Sequence, residues 1–157
     1  MSPDVAKLVT QAKAAGVTIA TAESCTGGMI AAALTDIPGS SAVVDRGFVT
    51  YSNGAKMQML GVKAETLDAK GAVSEDVASE MAEGAVKKAG VSLAVSVTGI
   101  AGPGGSEFKP EGRVCFGLAR AGRSTVTETV EFGAIGRANV RMAARDHALF
   151  LLMRAIS

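Results

Sequence analysis

The chain has 157 residues and a formal net charge of +1, and its acidic and basic side chains alternate along the sequence instead of clustering. This balance excludes the basic patch of a typical nucleic-acid-binding protein, and one tyrosine with no tryptophan leaves little to stack on bases. No run of ~18 apolar residues occurs, and the first residues lack a basic region followed by an apolar core. We therefore expect a single-domain cytoplasmic protein that contacts neither nucleic acid nor membrane.

The cysteines and the histidine do not suggest a metal site. Cys25 and Cys115 lie in separate segments without ligand spacing, which favours reduced thiols over a disulfide. His147 is the only histidine, and it falls inside a helical pattern near the C-terminus. A zinc site or a Ser-His-Asp triad would depend on that one residue. We expect no metal and no cofactor.

The first elements in chain order are a helix, a strand, a tight turn and a second helix. Apolar residues recur at helical spacing between Ser2-Pro3, a good helix start, and Gly16, which supplies the stop. A compact strand is predicted over residues 17–22, and an alanine-rich helix over 27–34. The cluster Asp36-Ile-Pro-Gly39 ends that helix.

The turn at Ser24 has two interpretations. A strand that ends in a tight turn before a helix lifts Ser24 above the sheet, next to free backbone N–H groups and the positive end of a helix dipole. Those are the parts of a nucleophile site that binds an oxyanion. The other interpretation is that Ser24 or Thr26 only caps the helix, and the stretch alone favours capping.

A second strand, polar turn and helix follow. The strand is predicted over residues 47–51, and Asn53 is predicted to be the N-cap of a helix over 54–60. Lys56 then falls in the first helical turn, where the dipole disfavours a cation and tends to lower the pKa of the lysine. The alternative is a solvated lysine with no chemical role.

The later elements continue the alternation of helices and strands. They are a helical turn, a long helix, a buried strand, an antiparallel hairpin and a final helix, over residues 64–69, 74–88, 93–97, 114–132 and 137–155. Between the buried strand and the hairpin lies a glycine-rich loop over 98–106, which lets backbone approach a ligand closely. The loop fits neither a Walker A motif nor a dinucleotide fingerprint, and a linker explains its glycines equally well.

Four ordered motifs together resemble the C-terminal domain of the competence/damage-inducible protein CinA. They are Ala22-Glu-Ser-Cys-Thr-Gly-Gly28, Arg46-Gly-Phe-Val-Thr-Tyr-Ser-Asn53 with Ala55-Lys56, Gly71-Ala-Val-Ser74 and Thr98-Gly-Ile-Ala-Gly-Pro103. The resemblance runs from about Val5 to Ile156. It is closest to the free-standing members of the family, which are nicotinamide-nucleotide amidohydrolases. The nucleotide pyrophosphatase activity of the longer members belongs to another domain and is not expected here.

The resemblance implies a fold and a reaction. The fold is an α/β/α three-layer sandwich on a mixed sheet, mainly parallel at its centre, with the late antiparallel hairpin toward an edge. The reaction is hydrolysis of the carboxamide of nicotinamide mononucleotide to nicotinic acid mononucleotide and ammonia, within pyridine-nucleotide recycling. In this family a serine nucleophile works with a lysine base, and the matching residues are Ser24 and Lys56. Tyr51 matches a residue that would orient Ser24 or relay its proton.

Other residues are candidates to stabilise the oxyanion or bind the substrate, through backbone donors of the turn and the loop or through a cationic side chain, and the resemblance adds Thr98 to them. These candidates are Cys25, Thr26, Gly27, Gly28, Thr98, Gly99, Arg46 and Arg137. Arg137 resembles an arginine placed near the active site, whereas an arginine beside a strand, such as Arg46, is usually a surface residue. The expected partner is the mononucleotide, and the exposed hairpin edge leaves a homo-oligomer open.

Two other functions remain open from the sequence. One is a non-catalytic nucleotide-binding or regulatory domain linked to competence or DNA damage. The other is an amidase for a different substrate, because a serine and a lysine recognise only the amide.

Overall fold

The structure of the protein, a computed structural model, describes residues 2–106 and 108–157. Its elements in chain order are α1 (Val5–Ala15), β1 (Ile19–Glu23), α2 (Met29–Thr35), a 3-10 turn (Ser40–Ala42), β2 (Val44–Val49), α3 (Asn53–Leu60), α4 (Ala64–Lys70), α5 (Glu75–Ala89), β3 (Leu93–Gly99), β4 (Arg113–Arg120), β5 (Val126–Glu131) and α6 (Arg137–Ile156).

The strands form one mixed sheet in the order β2-β1-β3-β4-β5. β1 pairs in parallel with both β2 and β3, while β4 pairs antiparallel with β3 and with β5. The late hairpin therefore ends at an edge of the sheet, as the resemblance implies.

Helices cover both faces of the sheet. One core contains Leu8 of α1, Ile30 of α2 and Leu152 of α6. The other contains apolar side chains of α3, α4 and α5, among them Leu60 and Met81. Successive strand residues point to opposite faces. These two cores confirm the predicted three-layer sandwich.

α5 lies unusually close to the sheet because the strand residues beneath it are small. Ala20, Ala22 and Ala94 face it, and a Cβ at Gly117 would lie 2.5 Å from the Ala78 carbonyl oxygen. The Ser96 hydroxyl donates to that same oxygen at 2.5 Å. The close packing fixes the strands whose ends carry the site.

Three predicted helix starts shift by one or two residues. Asp4, not Ser2, caps α1, and its side chain accepts from the Lys7 N–H at 3.0 Å. α2 begins at Met29 rather than at residue 27, because Gly27 and Gly28 have φ of 58° and 106°, outside the helical region.

The third shift concerns α3. Ser52 is its N-cap and accepts from the Ala55 N–H at 3.0 Å, so the predicted cap Asn53 is the first helical residue instead. The preceding strand also ends at Val49, earlier than predicted. Thr50 and Tyr51 therefore form a connection between strand and helix.

The carboxyl ends of the three parallel strands meet at one edge of the sheet. The Ser24 N–H donates to the Val97 carbonyl at 3.0 Å, and the Thr50 N–H donates to the Glu23 carbonyl at 2.8 Å. These bonds extend the ladders one residue past β1 and β2, and they bring Ser24 and Thr50 side by side. Ligands of open α/β sheets bind at such an edge.

None of the helices within the described ranges is long and apolar enough to cross a membrane.

Candidate active site

A cavity of about 370 Å³ lies at this edge of the sheet. Its lining comes from the turn after β1, the start of α3, the residues before α5, the loop after β3 and the first residue of α6. The lining residues are Ser24, Cys25, Tyr51, Asn53, Lys56, Ala72, Val73, residues 98–106 and Arg137. No acidic side chain occurs among these residues.

Ser24 and Lys56 meet inside this cavity. The Lys56 Nζ lies 3.1 Å from the Ser24 Oγ. Both side chains are buried, with 8% of Ser24 and 1% of Lys56 exposed. They are 32 residues apart in sequence and meet because β1 and β2 are adjacent parallel strands whose exits coincide.

Three oxygen atoms surround the Lys56 amine and can satisfy its charged form as well as its neutral form. Nζ also lies 2.9 Å from the Thr50 carbonyl oxygen and 3.4 Å from the Tyr51 carbonyl oxygen. An ammonium has three N–H donors, whereas a neutral amine has two and a lone pair. The two carbonyls can accept both N–H groups of the neutral amine, and the lone pair is then directed at the Ser24 hydroxyl.

Burial lowers the pKa of Lys56 below the ordinary lysine value of 10.5. The charged form loses its hydration, and within the described part of the chain no carboxylate forms an ion pair with it. The sequence predicts this direction from the dipole of α3, whereas in the structure burial is the main cause. A lysine of this kind can accept a proton.

Cys25 is adjacent to Ser24 but is poorly suited to be the nucleophile. Burial raises the pKa of its thiol to about 11. The thiolate is the reactive form of cysteine, so this thiol is inert near neutral pH.

Glu23, which the sequence analysis does not single out, fixes the turn. Its side chain is fully buried. Oε1 accepts from the Thr26 hydroxyl at 2.6 Å and from the Gly28 and Ile30 N–H groups, and Oε2 accepts from the Ala31 N–H at 3.0 Å. A carboxylate at a helix start satisfies the unpaired N–H groups there.

This contact corrects the expectation that the start of α2 supplies donors to the substrate. The Gly28 N–H is bonded to Glu23, and the Gly27 N–H donates to the Ser24 carbonyl at 3.0 Å. By contrast, the N–H groups of Cys25 and Thr26 donate to no other residue among those described, although the Cys25 N–H lies near its own thiol. Their expected role as oxyanion donors stays a prediction.

Tyr51 and Arg137 form a pair at the cavity. Arg137 Nη2 donates to the Tyr51 hydroxyl at 2.9 Å, and Nη1 donates to the Gly102 carbonyl at 2.8 Å. The Tyr51 hydroxyl therefore bonds to Arg137 and not to Ser24, and 62% of this side chain is exposed. Its expected role beside Ser24 is revised: here Tyr51 orients Arg137 and offers its carbonyl to Lys56.

The glycine-rich loop forms a braced wall of the cavity. The Thr98 hydroxyl donates to the Ala72 carbonyl at 2.8 Å, so it serves the fold in this state. A Cβ at Gly99 would lie 2.7 Å from Val114. The Glu111 carboxylate accepts from the Gly104 N–H. Thr98, which the resemblance implies, and Gly99, which the loop pattern suggests, both line the cavity.

Two residues considered as candidates from the sequence lie away from the cavity. Arg46 pairs with its neighbour Asp45 on the edge strand β2, with 51% of its side chain exposed. His147 contacts Glu128 and packs against Phe116 on the opposite part of the sheet. Across residues 2–106 and 108–157, no cluster of three His, Cys, Asp or Glu side chains is arranged to hold a metal ion.

Comparison with known proteins gives consistent matches. The family model of the CinA C-terminal domain matches residues 3–156. A CinA-like protein of Chlorobium phaeobacteroides is 54% identical over 145 residues, which are 90% of this chain and 34% of that protein. The chain thus spans about a third of the length of such relatives.

Two further matches cover most of both chains. The nicotinamide-nucleotide amidohydrolase PncC of Escherichia coli is 56% identical over 138 residues, which are 87% of this chain and 83% of that enzyme. The crystal structure of the competence/damage inducible protein CihA from Agrobacterium tumefaciens superimposes with a TM-score of 0.92 at 48% identity. That alignment covers 99% of this chain and 98% of CihA.

The Glu23 contacts predict a stability loss in Glu23→Gln. The glutamine amide must place its NH₂ group against at least one of the donors that now bond to the carboxylate, so that at least one hydrogen bond is lost. Losing a hydrogen bond to a buried charged group costs about 1.5–3 kcal/mol, and we expect the free energy of unfolding to fall by that amount. Urea unfolding followed by circular dichroism at pH 7 measures it.

Glu80→Gln is the matched control. Glu80 accepts from the Lys63 N–H at 2.8 Å and from the Thr66 hydroxyl at 2.6 Å at the start of α4, but it is only partly buried. Its loss should stay below about 1 kcal/mol, as for exposed electrostatic contacts. Equal losses in the two variants would show that Glu23 does not hold the turn.

Proposed function

The chain belongs to the CinA C-terminal domain family, and from that premise we propose that it hydrolyses the carboxamide of nicotinamide mononucleotide to nicotinic acid mononucleotide and ammonia. The observation that carries the proposal is the 3.1 Å contact between the buried Lys56 Nζ and the Ser24 Oγ in a cavity. The 56% identity to an enzyme named for this reaction supports the choice of substrate.

In the first step Ser24 attacks the carboxamide carbon. Its proton passes to the Lys56 lone pair, and the new ammonium is held by the Thr50 and Tyr51 carbonyls. The carbonyl oxygen of the substrate becomes an oxyanion. The free N–H groups of Cys25 and Thr26 are the donors proposed to stabilise it.

Collapse of this intermediate releases ammonia. The amide nitrogen is a poor leaving group unless it is protonated, and the Lys56 ammonium next to Ser24 can return the proton to it. Lys56 is then neutral again and can activate a water molecule that attacks the acyl-enzyme. The same lysine thus serves as base and acid in both halves of the reaction.

The phosphate is assigned to Arg137. With Lys56 neutral, Arg137 is the charged side chain among the described residues that line the cavity. Two of its N–H groups bond to Tyr51 and Gly102, and the guanidinium retains further donors for a phosphate oxygen. The positive charge of Arg137 favours an anionic nucleotide over a neutral amide.

The assay that tests the proposal is ammonia release from a panel of pyridine nucleotides and simple amides. Release from nicotinamide mononucleotide above all others supports it. Release only from a different amide would identify another amidase. A rise in melting temperature with the mononucleotide and no ammonia would indicate a binding domain instead.

Loss of either Ser24 or Lys56 should remove nearly all activity. Ser24→Ala, Lys56→Ala and the double variant should show similar kcat, because residues that act as a unit are strongly non-additive. A missing general base costs about 10²–10⁴-fold. Steady-state ammonia release with excess chelator present gives the rates, since this chemistry uses no metal.

Melting temperatures show whether each variant is folded, and Lys56→Met is a second variant of similar shape without a titrating group. If Lys56→Ala keeps more than about a tenth of the parental kcat, the loss is too small for the removal of a general base. In that case another group activates Ser24.

Arg137→Ala should raise KM more than it lowers kcat. A phosphate contact is made equally in the ground state and the transition state, so its removal weakens binding without slowing chemistry. Arg46→Ala, at an arginine outside the cavity lining, is the matched control and should leave both constants unchanged. A collapse of kcat at constant KM would place Arg137 at the reacting centre instead.

A further inference from the structure

Arg141 makes contacts that the proposed reaction does not use. It lies four residues after Arg137 on α6, and so on the same face of that helix. Its Nε donates to the Cys25 carbonyl at 2.9 Å, and Nη2 lies 3.4 Å from the Thr26 carbonyl oxygen. Within the described ranges it pairs with no carboxylate. Its charge is thus directed at the backbone that directly follows Ser24.

These contacts fix the orientation of a peptide plane. In a trans peptide the C=O and the N–H point in opposite directions. Because the Cys25 carbonyl is held toward α6, the Thr26 N–H of the same peptide must point away from Arg141. That N–H is one of the turn donors without a partner among the described residues.

The turn needs such a restraint. Gly27 and Gly28 follow with positive φ, and glycine permits backbone rotations that other residues resist. Without the contact to Arg141, the peptide between Cys25 and Thr26 could rotate and direct its carbonyl, rather than its N–H, at the reacting centre. A carbonyl there would repel a developing oxyanion.

The turn sequence also makes room for the guanidinium. A Cβ at Gly27 would lie 3.3 Å from the Arg141 Nη2, which is tighter than nine in ten Cβ contacts. A cation bonded to a carbonyl polarises the peptide and strengthens its N–H as a donor. Steric fit and charge therefore act in the same direction.

We propose that Arg141 is a positioning residue for the proposed hydrolysis, which holds the Cys25–Thr26 peptide so that its N–H can receive the oxyanion. It touches neither the substrate nor the reacting atoms. This role rests on the proposed function for the identity of the substrate, but the reactivity of Ser24 itself tests it independently.

The first measurement uses nicotinamide mononucleotide. Arg141→Ala should lower kcat by about ten- to a hundredfold, since a small misplacement of catalytic groups costs up to that much, and should leave KM within about twofold. Arg141→Lys keeps the charge and one donor but loses the forked geometry of the guanidinium. Its kcat should therefore lie between those of the parent and of Arg141→Ala.

Arg145→Ala is the matched control. Arg145 is the next arginine on the same helix and pairs with Asp146 at 2.9 Å. It should retain the parental kcat. If Arg145→Ala and Arg141→Ala lower kcat and melting temperature equally, the effect is a general weakening of α6 and the positioning role is wrong.

The second measurement does not depend on the natural substrate. Diisopropyl fluorophosphate reacts with an activated serine: the Ser24 Oγ bonds to phosphorus, fluoride leaves with the electrons of the P–F bond, and the serine proton passes to Lys56. The phosphoryl oxygen then occupies the oxyanion position. Intact-mass spectrometry gives the labelling rate, and Ser24→Ala must abolish the labelling.

We expect labelling of Arg141→Ala to slow by the same factor as kcat. The positioning role is wrong if Arg141→Ala is labelled at the parental rate, or if it raises KM with kcat unchanged. It is also wrong if the parent protein is not labelled. If the parent is labelled in an Arg141-dependent way but releases no ammonia from the mononucleotide, the proposed function fails and the positioning role stands. If ammonia is released from the mononucleotide at a rate that does not depend on Arg141, the proposed function stands and the positioning role fails.

Discussion

The site depends on one costly interaction, the burial of the Lys56 amine. A buried ammonium without a carboxylate is unfavourable, and the structure meets this constraint by surrounding Nζ with the Thr50 and Tyr51 carbonyls and the Ser24 hydroxyl. In the neutral form every donor and the lone pair of the amine have a partner. The same burial lowers the pKa of Lys56, which is what its proposed role as a base requires.

The two adjacent parallel strands β1 and β2 position the groups around the Lys56 amine. The exit of β1 carries Ser24, and the exit of β2 carries the carbonyls that receive Lys56. On one side of the turn Glu23 holds the start of α2, and on the other Arg141 of α6 contacts the carbonyls of Cys25 and Thr26. Ser24, the proposed nucleophile, is thus held between two charged groups that have no step of their own in the proposed reaction.

Much of this could be predicted from local sequence. The strand, turn and helix patterns place Ser24 and Lys56 at strand exits, and the adjacency of parallel strands then brings them together. The exact helix starts could not be predicted, because Ser52 and Asn53 are both good caps and only the backbone geometry chooses between them. The direction of the Tyr51 hydroxyl is a choice of rotamer, which no sequence pattern specifies.

The sequence patterns did not predict the contacts of Glu23 and Arg141, and the reasons differ for the two residues. Glu23 had a usable signal: a carboxylate at the end of a buried strand, directly before a glycine-rich helix start, needs partners that the helix can supply. Arg141 had none, because 116 residues separate it from Cys25. Only the packing of α6 beside the turn reveals that contact.

The central claim is that Lys56 is available as a neutral amine, and titration of its side chain tests it most directly. Heteronuclear NMR of protein with isotope-labelled lysine follows the Nζ and Cε signals with pH, and the signal missing in Lys56→Met identifies the residue. We expect a midpoint for Lys56 below the ordinary value of 10.5, separate from the other lysines. A midpoint at or above 10.5 would show that Lys56 stays charged and cannot serve as the base.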